Sequence, residues 1–198
     1  MKKIVVTLLI AVSFNISAQN SKVFSSSYAH ENKKEYAEAI KDIEGIDSGN
    51  NYYSKVRLGW LHYLNGNNAK SVEYYKAAIT IKPKAIEPLL GIAGPLYTLQ
   101  KWTELKGIYT KILSIDPNNT TALYRLALTN YYAKDYPTAE TQAAKMLTMY
   151  PFDFDTNLLM GGIKLSLGKI SEAKGFYETA LLAKPDDKTA LETLQSLK

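Results

Sequence analysis

Acid–base, nucleophilic or metal chemistry near neutral pH draws on histidine, cysteine and clustered carboxylates, and this chain offers few of them. It has two histidines, His30 and His62, and no cysteine, so thiol catalysis and thiolate metal sites are excluded. The histidines fall in different segments, and His62 has no orienting group within sequence reach, which predicts a half-buried helical residue rather than a proton carrier. Glu35 and Glu38 stand beside Lys33, Lys34 and Lys41, a solvated face. The chain contains no HExxH, GxSxG, P-loop or dinucleotide fingerprint. Asp116-Pro117-Asn118-Asn119 and Asp186-Asp187 read as turn chemistry at helix ends; a calcium loop needs more oxygen ligands at alternating spacing and a glycine. The sequence therefore predicts a protein that is not an enzyme and has no cofactor or metal. Recognition remains.

Whatever is recognised has to be presented by a repeat. Pro83, Pro117, Pro151 and Pro185 follow one another at intervals of 34 residues. Twenty-four residues before each stands a small residue (Gly59, Ala93, Ala127, Gly161), preceded by an apolar one (Leu58, Ile92, Leu126, Met160). Eight before each proline come Tyr75, Tyr109, Ala143 and Tyr177, and five before come Ala78, Ile112, Met146 and Ala180. Apolar residues three or four apart in each half predict two amphipathic helices per unit. Gly66, Gly168 and the pairs Gln100-Lys101 and Lys134-Asp135 predict tight turns between them. The proline ends the second helix. The small residue lets two antiparallel helices cross closely, with a small or aromatic residue opposite.

In LGWLHYLNG (Leu58–Gly66) with SVEYYKAAITIKP (Ser71–Pro83), and in GKISEAKGFYETALLAKP (Gly168–Pro185), the chain resembles the tetratricopeptide repeat (TPR) family. The resemblance runs through four units, 52–85, 86–119, 120–153 and 154–187. It departs from the family where an early aromatic is replaced by Lys55, Leu89, Leu123 and Asn157, and a later one by His62, Leu96, Asn130 and Lys164. It implies an all-α, right-handed α-solenoid of antiparallel helix pairs. It also implies a concave groove lined by the first helices, where a partner segment lies. Carried onto this sequence, the groove positions give Phe24, Tyr28, Tyr53, Val56, Trp60, Tyr63, Leu90, Tyr97, Tyr124, Leu128 and Tyr131, with Glu87, Gly94 and Gly162 among them. Gly94 and Gly162 either leave pits for a partner's side chain or serve helix packing. The lysine and asparagine clamp by which chaperone-type members hold a C-terminal carboxylate is absent. Apolar and aromatic contacts are expected instead.

The ends differ from the repeats. Residues 1–18, with Lys2-Lys3, the apolar run Ile4–Phe14 and Ile16-Ser17-Ala18, read as a signal peptide cleaved before Gln19. The run is too short for a membrane span of about 20 residues. Residues 19–51 form a degenerate first unit, two residues short of the period, and 188–198 a capping helix. Gly91-Ile92-Ala93-Gly94-Pro95 predicts a kink near Gly91, while Pro88 and Pro137 sit at helix starts. Net charge is +5, or +3 without Lys2 and Lys3, and only Arg57 and Arg125 are arginines, so nucleic acid is not an expected partner. The expected function is that of a non-catalytic periplasmic scaffold, without a stable membrane anchor, binding a peptide or helix of a partner protein. A glycan-binding accessory module using the same groove is the alternative, and an exposed apolar end helix is compatible with a homo-oligomer.

Overall fold

The computed structural model describes residues 20–197, which leaves the expected signal peptide at 1–18 outside the described residues. Among the described residues the chain is helical throughout, with no strand, and no helix is long and apolar enough to cross a membrane. The all-α class expected from the repeat is the class observed. The chain divides into two compact units, the first ending at Leu105 and the second beginning at Lys106.

In the first unit, α1 spans 20–32, followed by α2 (Tyr36–Glu44), α3 (Tyr52–Leu64), α4 (Asn68–Ile81), α5 (Ile86–Gly91) and α6 (Ala93–Thr98). Ala39, Ile40 and Ile43 of α2 form a core with Leu58 and Leu61 of α3, flanked by Val23, Phe24 and Tyr74. Ser27 of α1 donates a buried hydrogen bond to the carbonyl of Ala39, 3.0 Å away. Ser71 donates likewise to the carbonyl of Gly59, 2.6 Å away. Each bond joins the two helices of a hairpin across a twelve-residue separation. Gly59 is a close-approach glycine, because a Cβ there would stand 2.9 Å from the Tyr75 ring.

The Gly91–Pro95 stretch breaks the helix instead of merely bending it. Residue Ile92, at φ −69° and ψ −18°, separates α5 from α6. Ile92 N–H still reaches the carbonyl of Pro88 at 3.0 Å, and Leu96 N–H that of Ile92 at 3.1 Å. Between these bonds, Pro95 has no N–H to offer Gly91.

Helix α7 (Trp102–Ile115) crosses the unit boundary. The second unit continues with α8 (Thr120–Tyr132), α9 (Tyr136–Met149), α10 (Phe154–Ser166), α11 (Ile170–Ala183) and α12 (Lys188–Ser196). Its core joins Ala127, Ala139 and Ala143 to Leu159, Met160 and Ile163. A second cluster docks Ala190 of α12 on Ala173 and Tyr177, with Leu194 beside them. Leu191, on the same helix, is 40% exposed.

The inter-helix turns share one conformation. Gly66 and Gly168 have φ of 77° and 73°, and Lys34, Gln100 and Lys134 adopt the same left-handed region at 63°, 55° and 62°. First helices start on capping side chains: Asn51, Asn119, Asp153 and Asp187 each accept from a backbone N–H of the first turn. Ala85, at the same place before α5, supplies no cap.

Candidate functional site

The first unit holds a hollow of about 430 Å³ whose lining includes Phe24, Tyr28, Tyr53, Val56 and Trp60. Helix α1 contributes Phe24 and Tyr28, and α3 contributes Tyr53, Val56 and Trp60. On α3 the last three are spaced so that they share a face. Tyr53 is 65% exposed, Tyr28 53% and Trp60 39%. Rings held open to solvent on packed helices offer a large contact area that costs little conformational entropy to fix.

The remaining lining is polar and was only partly foreseen. Glu31 and Asn32 come from α1, Arg57 from α3, Tyr75 from α4, and Glu87 and Gly91 from α5. Arg57 is 5% exposed. Its Nε and Nη2 donate to Ser27 Oγ at 3.3 and 3.2 Å. Its Nη1 donates to Glu31, and its guanidinium lies over the Tyr28 ring, 3.8 Å from the centroid. The other oxygen of Glu31 accepts from Trp60 Nε1 at 2.7 Å. One carboxylate thus fixes both the buried cation and the indole. Across the hollow's lining, Glu87 accepts from the hydroxyl of Tyr52 at 3.3 Å. Burial and the neighbouring Glu87 carboxylate both push the Tyr52 phenol up, so it remains a donor.

Tyr63 and Tyr97, also of the first unit, lie outside this lining. Tyr63 is half-buried, with its ring against Gly94, where a Cβ would come within 2.9 Å, and 6.0 Å from the Trp60 ring. Tyr97 is 62% exposed and meets Trp102 edge to face at 5.2 Å. Leu90 is half-buried on α5. In the second unit Tyr124, Leu128 and Tyr131 are half-buried and pack on the core around Ala127 and Met160. The Tyr131 hydroxyl faces Gly162, where a Cβ would come within 3.2 Å. The places left by Gly94 and Gly162 are therefore filled by tyrosines of this chain: these are packing glycines.

Among the described residues neither histidine is paired with a nucleophile. His30 Nδ1 is 2.9 Å from Asp42, and its Nε2 is 3.9 Å from Glu35, a surface arrangement with no nucleophile at the free nitrogen. His62 is 4% exposed rather than half-buried, and stacks on Tyr74 with centroids 5.2 Å apart. Both its ring nitrogens lack a hydrogen-bond partner, and burial holds its pKa below the usual histidine range. Among the described residues no cluster of three or more histidine, aspartate or glutamate side chains is set for a metal ion.

Arg57 was visible in the sequence as one of two arginines, one residue from groove position Val56. Nothing in the repeat register pointed to Glu31, because the first hairpin is offset from the 34-residue period.

Comparison with known proteins agrees with the helical repeat fold. The family model described as Tetratricopeptide repeat matches 52–85 and 154–187, two of the units bounded by the proline spacing. A tetratricopeptide repeat protein from Parabacteroides merdae superposes with a TM-score of 0.79 at 19% identity, covering 91% of this chain and 72% of that one. MamA superposes with a TM-score of 0.74 at 14% identity, covering 83% and 91%. YrrB, described as a TPR protein with an unusual peptide-binding site, gives 0.73 at 13% identity, covering 87% and 90%. In sequence the chain is 24% identical over 131 residues to mouse BBSome complex member BBS4, covering 66% of this chain but only a quarter of that protein's length.

Proposed function

We propose that this chain, a tetratricopeptide repeat protein, is a non-catalytic interaction scaffold that binds an extended or helical segment of a partner protein, with the hollow of its first unit as the anchor point. The observation that carries the reading is the exposure of Tyr28, Tyr53 and Trp60 around one hollow of about 430 Å³. Singly exposed rings are common on protein surfaces, but exposed rings gathered around one concavity are the arrangement that marks interaction sites, and the volume lies within the roughly 300–1,000 Å³ of ligand pockets. The peptide-binding description of YrrB, a protein of similar fold, supports the same use of this architecture. Burial of aromatic and aliphatic surface supplies the binding energy, and the rigid helices limit the entropy lost. The reading extends to Tyr63, Leu90 and Tyr97 along the first unit, and to Tyr124, Leu128 and Tyr131 as the floor of the second.

The signal-peptide pattern of residues 1–18 supports export, to the periplasm or out of the cell. Intact mass of the protein recovered from its native cell would start at Gln19 under this reading; a mass that retains Met1–Ala18 removes it.

Binding is tested by placing a photo-crosslinking amino acid at position 53, and at position 182 as a control, since Leu182 is 71% exposed outside the hollow. Adducts identified by mass spectrometry should form from position 53 and disappear when Trp60→Ala is added. Circular dichroism must show equal helicity for all variants. Equal labelling from both positions would remove the hollow as the binding site.

A further inference from the structure

We infer that the hollow of the first unit selects a cationic side chain, a lysine or arginine of the bound segment; this rests on the reading above that the hollow anchors a partner peptide. The argument is charge complementarity. The lining contains two carboxylates, Glu31 and Glu87, and one cation, Arg57. Arg57 is already paired and almost wholly buried. It is 5% exposed, it donates twice to Ser27 and once to Glu31, and its plane is stacked on Tyr28. Glu31 is equally committed, divided between Arg57 and the indole of Trp60.

Glu87 is different. Its side-chain hydrogen bond among the described residues comes from a neutral phenol, Tyr52, at 3.3 Å, and it forms no ion pair among them. The residues that line the hollow therefore carry a net charge of −1, although the whole chain is formally +5. The exposed rings of Tyr53 and Trp60 line the same hollow as that carboxylate. A carboxylate beside aromatic faces is the combination that binds a desolvated ammonium or guanidinium, by a charge-assisted hydrogen bond and by the ring quadrupole.

The same unit already uses aromatic rings this way. Arg57 lies 3.8 Å from the centroid of Tyr28. Lys82, which is not part of the lining, holds its Nζ 4.2 Å from the centroid of Tyr52 and 5.0 Å from that of Tyr53. An acidic segment would meet Glu87 in a lining whose one cation, Arg57, is already paired with Glu31; Lys82 stands outside that lining. A wholly apolar segment would bury Glu87 without compensation.

The test is selection of random heptapeptides displayed against the full protein, followed by affinity measurement on the recovered peptides by fluorescence anisotropy. The expected result is a recovered set sharing one lysine or arginine. Its replacement by glutamine should weaken binding about tenfold, roughly one charge-assisted contact. In the Glu87→Gln protein the same replacement should make almost no difference, because the partner charge is gone. Peptides that need Trp60 yet are insensitive to losing their cations and to Glu87→Gln would overturn the inference while leaving the hollow as the anchor. An acidic consensus would overturn it too. Peptides bound equally by wild type and by Trp60→Ala/Tyr53→Ala would instead defeat the groove reading. Recovery of no peptide above the background of unfolded protein counts against both.

Discussion

A Cβ added to Gly91 would fall 2.5 Å from the ring of Tyr75, inside any distance that real side chains tolerate. Tyr75 is 2% exposed, and its ring fits between Gly59 of its own hairpin and Gly91 of the following helix. The glycine therefore has a packing role besides its place at the helix break. Gly91→Ala is expected to destabilise the protein by about 1–3 kcal/mol through overpacking. In a Tyr75→Ala background the same substitution should cost almost nothing. Urea unfolding of the four proteins gives the coupling; additive effects would show that the ring and the glycine are independent.

Ala85 occupies the place at which Asn119, Asp153 and Asp187 cap their helices, 34 residues apart. Its backbone is extended, φ −73° and ψ 124°, the conformation those caps use. Ala85→Asp should therefore satisfy a free N–H of α5 and add about 1 kcal/mol. The gain should appear as a higher urea midpoint with an unchanged slope. No gain would mean that the break at Ile92 leaves α5 too short to benefit.

The turns between paired helices carry a related cost. Lys134 sits at φ 62°, where Gly168 of the next unit sits at 73°. A side chain in the left-handed region costs roughly 1–2 kcal/mol, partly offset by the lower entropy of a non-glycine chain when unfolded. Lys134→Gly is expected to stabilise by about 0.5 kcal/mol, and Gly168→Ala to destabilise by about 1 kcal/mol. Thermal melts showing both changes in the same direction would contradict this account.

Arg57 is the cation on which the hollow's wall depends. Removing one partner of a buried ion pair leaves the other uncompensated, a loss of about 3–5 kcal/mol where both are well buried. Glu31 keeps 20% of its side-chain surface exposed, so Arg57→Ala is placed at the low end, about 3 kcal/mol. Arg57→Lys should rescue little, because an ammonium cannot reproduce the planar contacts to Ser27, Glu31 and the Tyr28 face. Denaturant melts of both variants check the order; a fully stable lysine variant would refute the role of the fork.

The repeat register was legible because it rests on packing that recurs: Gly59 against Tyr75, Gly161 against Tyr177, and Ala127 in one core with Ala143. In the sequence, Asn130 and Lys164 stand out only as replacements of a family aromatic. Each is answered by a partner twenty-four residues earlier. Lys106 donates to Asn130 at 2.8 Å, and Lys164 donates to Glu140 at 2.7 Å. Gln142 and Glu172 complete the two sets. Such pairs are invisible to a search for aromatic positions, since a charge at one place makes sense only beside the identity of another. The same limit hid Glu31. Its role depends on Arg57 and Trp60 in the next hairpin, and the first hairpin departs from the period that would have aligned them.

His62 shares its repeat position with Leu96, Asn130 and Lys164, but unlike the two polar residues it has no hydrogen-bond partner. Burial depresses its pKa in the folded state, with nearby Lys70 acting in the same direction. The unfolded chain therefore binds more protons than the folded one below about pH 6.5, the ordinary histidine value. The stability this neutral ring allows is fully present above that pH and is lost as the pH falls toward and through the depressed folded value. His62→Leu, matching Leu96, should remove the buried unpaired nitrogens and this part of the pH dependence together. Relative to wild type, the variant is expected to gain about 1–3 kcal/mol at pH 7 and to widen its advantage at pH 5. Guanidinium unfolding at the two pH values measures both. An advantage that shrinks on acidification would mean that the folded protein takes up the proton more readily than the unfolded chain, the reverse of what the packing around His62 implies.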